Sequence, residues 1–360
     1  MSSLTTSAAD FYQYVVGVDT HAATHSYAIV AAPNGAAVDE ASFPTTTAGL
    51  CRARDWISRR TYGDLDAVLV AAEGTGSYGA KLACVMAEAG YRVVEAPPPA
   101  KQRGRAKTDG LDAFSAARST LSMPVSALRD RRAGEIHDAL QVLNSARDHL
   151  NVERLRSTNA LTALVRTYDL GIDARKALSS QQIELIAAWR HREEPVGVCA
   201  ARAEAVRLAR RIRVLNVELF ENRTVITGLV EAAAPQLLEL PGVGAVTAAV
   251  VLAAWAYPGR VRGEAAFARI AGTCPIPASS GNTVRHRLNR GGDRRLNRAL
   301  NTIVLTRMRT DPDTRRYIER RRAEGRTTKE IRRCLKRYVT RQLYRTLSAG
   351  TQGEVLTTMG

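Results

Sequence analysis

Cysteine is scarce in this chain. Its five cysteines (Cys51, Cys84, Cys199, Cys274, Cys334) are scattered over 360 residues, with no C-x-x-C pair and no histidine at zinc-ligand spacing. A thiolate metal site and a disulfide framework are therefore not indicated, and the thiols read as reduced groups of a cytoplasmic protein. Long apolar runs are missing as well. The longest, residues 245–257, falls well short of the roughly 20 residues a membrane helix needs. Residues 1–13 have neither the basic start nor the apolar stretch of a secretory signal. Export, insertion and a membrane partner are thus unsupported, and no internal repeat or low-complexity tract points to a solenoid or a disordered linker.

Acidic charge is the other shortage. Asp plus Glu total 35 against 52 Lys plus Arg, a formal net charge of +17. A polyanion is the expected partner, although charge alone does not separate DNA from RNA. The excess is concentrated: residues 285–345 hold 21 basic and 6 acidic side chains. Basic groups clustered along one track are what counterion release from a phosphate backbone rewards. With 45% hydrophobic residues the chain has enough apolar material for a core, and its length suggests two or three domains.

Residues 14–18 and 26–32 are β-branched runs, and Pro33-Asn34-Gly35 before residues 36–43 signals a hairpin. The pattern then alternates: helix over 47–60, strand over 66–72, helix over 78–89, strand over 91–95. A hairpin sheet extended by β-α-β units predicts an α/β domain with a mixed sheet. After Pro97-Pro98-Pro99 a helix is expected from about Thr108. Strand signals end near Arg131. Leu208, Ile212, Leu215, Leu219, Ile226 and Leu229 step by four and three with Asn222 at one seam position, which predicts long helices packed as an antiparallel hairpin or a coiled-coil dimer. Residues 171–195 would connect them, and residues 348–360 read as a frayed tail.

Four carboxylates stand out. Asp19 closes the first apolar strand, and Glu73 closes the run Val68-Leu69-Val70-Ala71-Ala72 before Gly74-Thr75-Gly76. Asp109 and Asp112, three apart at a helix start, share one face. Each alone fits a turn former or a helix cap. Gathered together they would repel unless a cation neutralised them, and paired Mg²⁺ ions held by such oxygens suit attack at a phosphodiester. Their order, strand-end Asp, hairpin, strand-end Glu, then a D-x-x-D helix, resembles the ribonuclease H-like fold of RuvC-type nucleases.

Further along, Ala278-Ser279-Ser280-Gly281 precedes an Arg-rich segment carrying Arg285, Arg287, Arg290, Arg294 and Arg295. A serine there is either an ordinary turn residue or a nucleophile whose phosphate the guanidinium groups would hold. Pro241-Gly242-Val243-Gly244 before an Ala-rich helix is either a tight turn or a helix-hairpin-helix element, in which the amides at Gly242 and Gly244 meet a phosphate.

Taken in order, Val16-Gly17-Val18-Asp19, Glu73-Gly74-Thr75-Gly76, Lys107-Thr108-Asp109-Gly110-Leu111-Asp112-Ala113, Leu240-Pro241-Gly242-Val243-Gly244 and Ser280-Gly281 before Gly291-Gly292-Asp293-Arg294 resemble the DEDD insertion-sequence transposases, the bridge-RNA-guided serine recombinases. The resemblance spans nearly the whole chain. It implies a RuvC-like domain (12–128), a helical coiled-coil region (129–232) and a mainly helical transposase domain (233–347). It also implies Asp19, Glu73, Asp109 and Asp112 as a Mg²⁺ or Mn²⁺ tetrad and Ser280, with Ser279 adjacent, as the residue that attacks DNA. Donor and target DNA, a structured guide RNA, a homo-oligomer (dimer or tetramer) and a nucleoid-associated location follow from the same resemblance. Ala22 and Ala23 stand where family members often carry a Lys, which removes a phosphate contact but no carboxylate. A metal-dependent Holliday-junction-type endonuclease without serine chemistry, and a non-catalytic DNA- or RNA-binding protein, are the competing expectations.

Overall fold

β-branched and small apolar residues fill positions 14–18 and 68–72, and both segments are buried through their central residues, as interior strands covered by helices on two faces must be. The computed structural model describes residues 6–97, 109–131, 134–257, 259–278 and 286–357, with the backbone alone at 109, 110 and 350–357. The chain divides into two compact units, Met1–Ala133 and Gly134–Gly360.

The first unit runs β1 (Tyr14–Thr20), β2 (Thr24–Ala31), β3 (Ala36–Pro44), α1 (Thr47–Arg60), β4 (Val68–Ala72), α2 (Ala80–Glu88), β5 (Arg92–Glu95) and α3 (Asp109–Leu121). The sheet order is β3-β2-β1-β4-β5. β1, β2 and β3 are antiparallel neighbours, whereas β1-β4 and β4-β5 are parallel. Strand alternation sends Val16, Val18, Val68 and Val70 to one face, against Leu50, Ile57, Leu82 and Met86. Val15, Leu69, Ala71 and Val94 go to the other, against Ala117 and Leu121 of α3. This mixed five-stranded sheet is consistent with the ribonuclease H-like fold expected from the motif order.

α3 lies across β1 through Gly17, where a Cβ would overlap the Ala113 carbonyl and the Ala117 amide. Its far end reaches the β2–β3 turn, where Arg118 Nε donates to the Gly35 carbonyl at 3.1 Å. That turn adjoins the Tyr14↔Ala31 end of β1. α3 therefore runs antiparallel to β1, with its N-terminus toward the Thr20 end.

The second unit holds α4 (Glu135–Thr167), α5 (Ser180–Ala187), α6 (Val196–Ala233), α7 (Ala245–Trp255), α8 (Glu264–Ile270), β6 (Ile276–Pro277), β7 (His286–Arg287), α9 (Arg294–Thr310), α10 (Pro312–Ala323) and α11 (Thr328–Thr357). α4 and α6 form an antiparallel hairpin within the chain. The Asn222 amide donates to the Leu143 carbonyl at 3.1 Å and accepts from Arg147 at 3.2 Å, while Arg211 pairs with Glu153 at 2.7 Å. Leu208, Ile212, Leu215, Leu219 and Ile226 are all buried along this seam.

Each end of the hairpin has its own core. At the base, Leu140, Ile226 and Val230 join α7, α9 and α11. At the tip, Leu161 and Val165 meet Ala205, Leu208 and Ile212. The segment 171–195, expected as a plain connection, contributes to that second core through α5. Ser179 and Gln182 cap α5 reciprocally, and Ile183 and Ile186 are buried. The expected tail is also shorter, because the α11 backbone continues to Thr357.

Candidate functional site

Asp19 lies at the penultimate position of β1, 7% exposed, with its Oδ2 3.1 Å from His21 Nε2. Glu73 follows β4 directly. Its amide donates to the Val18 carbonyl at 3.1 Å, and its own carbonyl accepts from Thr20 Oγ1 at 3.1 Å. Because Val18 pairs with Ala72 in parallel register, positions 19 and 73 are neighbours at one sheet edge. The alternation that points Val15, Leu69 and Ala71 toward α3 puts both carboxylates on that same face.

α3 supplies the remaining pair. Position 109 is four residues, about 6 Å, before Ala113 along the helix. Position 19 is two residues, about 6.6 Å, beyond Gly17 along β1. Since Ala113 sits on Gly17 and the two elements run antiparallel, the α3 start comes level with Asp19 and Glu73. Asp112, half-buried, is in the same turn. The Asp109 side chain lies outside what the structure describes.

All four are oxygen donors, which fits a hard divalent cation. Among the described residues no three His, Cys, Asp or Glu side chains are gathered closely enough to hold a metal ion. The backbone thus brings the four positions to one edge, while the described side chains do not form a ligand set. Sequence reasoning missed two acidic-edge neighbours. His21 pairs with Asp19, and Glu95, aligned with Ala72 on β5, accepts from Thr75 Oγ1 at 3.4 Å.

In the second unit, Ser279, Ser280, Gly281 and Arg285 lie outside the described residues. Their surroundings are described. β6 and β7 pair antiparallel, Ile276 with Arg287 and Pro277 with His286, and so bracket the serine segment as a hairpin. Below them Gly272 (φ +64°) and Gly292 (φ +88°) cross at close range, where a side chain at 292 would overlap the Ile270 carbonyl. The Asp293 amide donates to that carbonyl at 2.7 Å, and Asn297 donates to Ala271 at 2.7 Å. The hairpin is consequently mounted on a closed neck.

The remaining candidate contacts divide. Arg287, Arg290 and Arg294 line a cavity of about 1080 Å³. Arg295 is turned away and bonds Asp148 of α4 at 2.9 Å. Gly242 (φ +73°) packs its turn on α9, where a Cβ would crowd the Ile303 carbonyl, and the preceding Pro241 carbonyl accepts from Arg307 Nε at 2.6 Å. The Gly244 amide donates to Thr247 Oγ1 at 3.1 Å, the residue standing just before α7. None of the described helices is long and apolar enough to cross a membrane.

A mixed-sheet domain with strand-end carboxylates is followed by a basic helical domain, and each has counterparts among known proteins. Residues 16–169 match the DEDD_Tnp_IS110 family, described as "Transposase", and residues 234–319 match the family described as "Transposase IS116/IS110/IS902 family". The two matches follow one another and together span two thirds of the chain, so both of its parts are similar to IS110/IS116/IS902 transposases. The chain is 27% identical over 334 residues to "Insertion element IS110 uncharacterized 43.6 kDa protein" of Streptomyces coelicolor, covering 79% of this chain and 82% of that protein. It is 28% identical over 268 residues to "Insertion element IS900 uncharacterized 42 kDa protein" of Mycobacterium paratuberculosis, covering 62% and 67%.

Proposed function

We propose that this transposase exchanges DNA strands by phosphodiester transesterification, with Ser280 as nucleophile and Asp19, Glu73, Asp109 and Asp112 as a Mg²⁺- or Mn²⁺-binding tetrad. The supporting observation is the antiparallel docking of α3 on Gly17, which brings the D-x-x-D turn level with Asp19 and Glu73. A bound divalent cation would neutralise the carboxylates and the attacked phosphate. Ser280 Oγ would form a phosphoserine bond as one phosphoester of the DNA breaks and its oxygen leaves with a proton. The number of phosphoesters is conserved, so the strand can be rejoined by the reverse attack. Arg287, Arg290 and Arg294 would hold the phosphate beside the hairpin.

In this reading the chain works as three parts: a RuvC-like domain (12–128), a helical arm (129–232) and a serine-bearing transposase domain (233–347). Donor and target DNA are the substrates, a structured guide RNA supplies the sequence reading, and a homo-oligomer acts near the nucleoid. Denaturing gels of labelled DNA test the chemistry. Wild type should leave a covalent protein–DNA species that Ser280→Ala abolishes and Ser279→Ala retains. Cleavage with no adduct in wild type would replace this reading with a hydrolytic endonuclease.

A further inference from the structure

The cavity beside the hairpin has a construction that the strand-exchange chemistry does not require. Its long wall is α11, whose buried residues Ile331, Leu335, Val339 and Leu343 step by four along the side facing the core. Lys329, Arg332, Arg333, Lys336, Arg337 and Arg341 recur at the spacing of a second helix face and all line the cavity. Thirteen residues of helix, Lys329 to Arg341, carry these six cations over about 18 Å. The opposite wall is α9, with Arg294 and Arg298, and β7 closes one side with Arg287. Two acidic side chains, Asp293 and Glu330, line the cavity. Asp293 caps α9, Glu330 caps the start of α11 and lies 3.9 Å from Arg326, and Arg341 pairs with Glu264 at 3.5 Å, so these acids offset only part of the positive charge around the cavity.

So many cations around one cleft repel one another unless an anion enters. Burial and the neighbouring Arg332 hold the Lys336 ammonium below its ordinary pKa. Arg337 Nη1 is buried and meets no hydrogen-bond acceptor among the described residues. A buried guanidinium nitrogen without an acceptor is costly, and a phosphate oxygen would satisfy it.

The form of the cleft bears on what kind of polyanion fits. Lys336 Nζ on α11 reaches Asn297 Oδ1 on α9 at 3.1 Å, so the walls meet at the floor. A cavity of about 1080 Å³ closed at its floor offers a track for a sugar–phosphate backbone. The lip carries an aromatic platform. Tyr338 is 54% exposed and is held edge-on by Tyr317 at 5.9 Å. A cationic groove with an exposed ring is how single strands are bound without sequence readout.

We propose that the α9–α11 groove binds one unpaired nucleic-acid strand, tracking its phosphates with the α11 cations, stacking a base on Tyr338 and delivering the strand to the β6–β7 hairpin. The proposal rests on the reading that the chain acts on nucleic acid. DNA and RNA strands share this chemistry, and separate probes distinguish them.

The test is fluorescence anisotropy of the full chain with labelled 15-mers of deoxythymidine and uridine and with a duplex of equal length, across a salt series. Wild type should bind at least one single strand, the tighter probe naming the source. Lys329→Glu with Arg333→Glu, both exposed positions, should weaken single-strand binding about tenfold or more and flatten its salt slope, while duplex binding changes less than about threefold. Tyr338→Ala should weaken the single strand about tenfold, and Tyr338→Phe should restore it. Arg337→Gln should lower the single-strand slope with unchanged circular dichroism. Equal losses for duplex and single strand, or no loss for either, overturn the proposal. Wild type that binds duplex but neither 15-mer also overturns it, leaving the transposase reading intact. Wild type that binds no nucleic acid overturns both.

Discussion

Gly17 of β1 lies beneath Ala113 of α3 at a distance that leaves no room for a side chain. Gly17→Ala should therefore push the helix off the sheet and lower the stability of the first unit by about 1–3 kcal/mol, the usual cost of overpacking. Gly17→Val should be worse. Thermal unfolding followed by circular dichroism checks the stability. Strand cleavage should fall further than the loss of folded protein accounts for, because the D-x-x-D turn moves with α3. Activity unchanged in a destabilised Gly17→Ala would separate helix docking from catalysis.

Metal removal should lower the stability of the first unit modestly and be decisive for cleavage. Calorimetric titration with Mn²⁺ should show saturable binding that Asp19→Asn, Glu73→Gln or Asp112→Asn each weakens about tenfold or more, since each removes a charged oxygen ligand. Chelation should stop strand cleavage and lower the melting temperature while the protein stays folded. Wild-type binding indistinguishable from that of the Asp19→Asn variant would remove the tetrad from the mechanism.

Asn222 ties the arm together by bonding both Leu143 and Arg147 of α4. Asn222→Ala removes the extra donor to the Leu143 carbonyl, which keeps its helical partner, and the acceptor of Arg147, and should cost about 0.5–1.5 kcal/mol per lost bond in denaturant unfolding of the second unit. Asn222→Leu fills the seam but makes neither of the two amide bonds. It should lose stability too, and a more stable Leu variant would show that the amide bonds contribute little.

At the arm tip, Arg202 is 7% exposed, bonded through two nitrogens to Glu194 at 2.6 and 2.7 Å, with its guanidinium 4.7 Å from the Trp189 ring. The hydrogen bonds from Arg202 hold the Glu194 carboxyl below its ordinary pKa. The folded pKa lies under the unfolded one, so the stabilisation is present above the ordinary carboxylate range and fades as pH falls through the folded value. Acid should therefore loosen the tip, read as lower amide-exchange protection, relative to the intrinsic rate at each pH, over residues 180–212. Glu194→Gln should raise exchange at neutral pH and remove this pH dependence.

Much of this was legible from the sequence because local patterns carried it. β1 and β4 are apolar runs that each end on a carboxylate, and β4 leads into glycine. Such a break marks a strand end whatever the tertiary packing. The seam of α6 was readable from its three- and four-residue steps, and Asn222 stands at a seam position as the pattern required. α5 was not read, because eight residues between loops show too little periodicity to stand apart. β6 and β7 are two residues each and owe their existence to pairing across eight intervening positions. Arg295 looked like its neighbours in an Arg-rich run. Its partner, Asp148, is 147 residues away, and no local rule announces such a pair. The basic excess was countable, but a helix face becomes a groove only once another helix stands opposite it.

The arm of α4 and α6 is held at both ends by separate cores, with a seam between them that repeats along its length. Inserting one heptad into each helix at matching levels should lengthen the arm by about 10 Å while every contact at base and tip keeps its partner. An insertion in one helix alone would throw the two ends out of step. Spacing between the tip and the base is thus adjustable by coordinated change, and relatives with longer or shorter arms would be expected to differ in both helices at once.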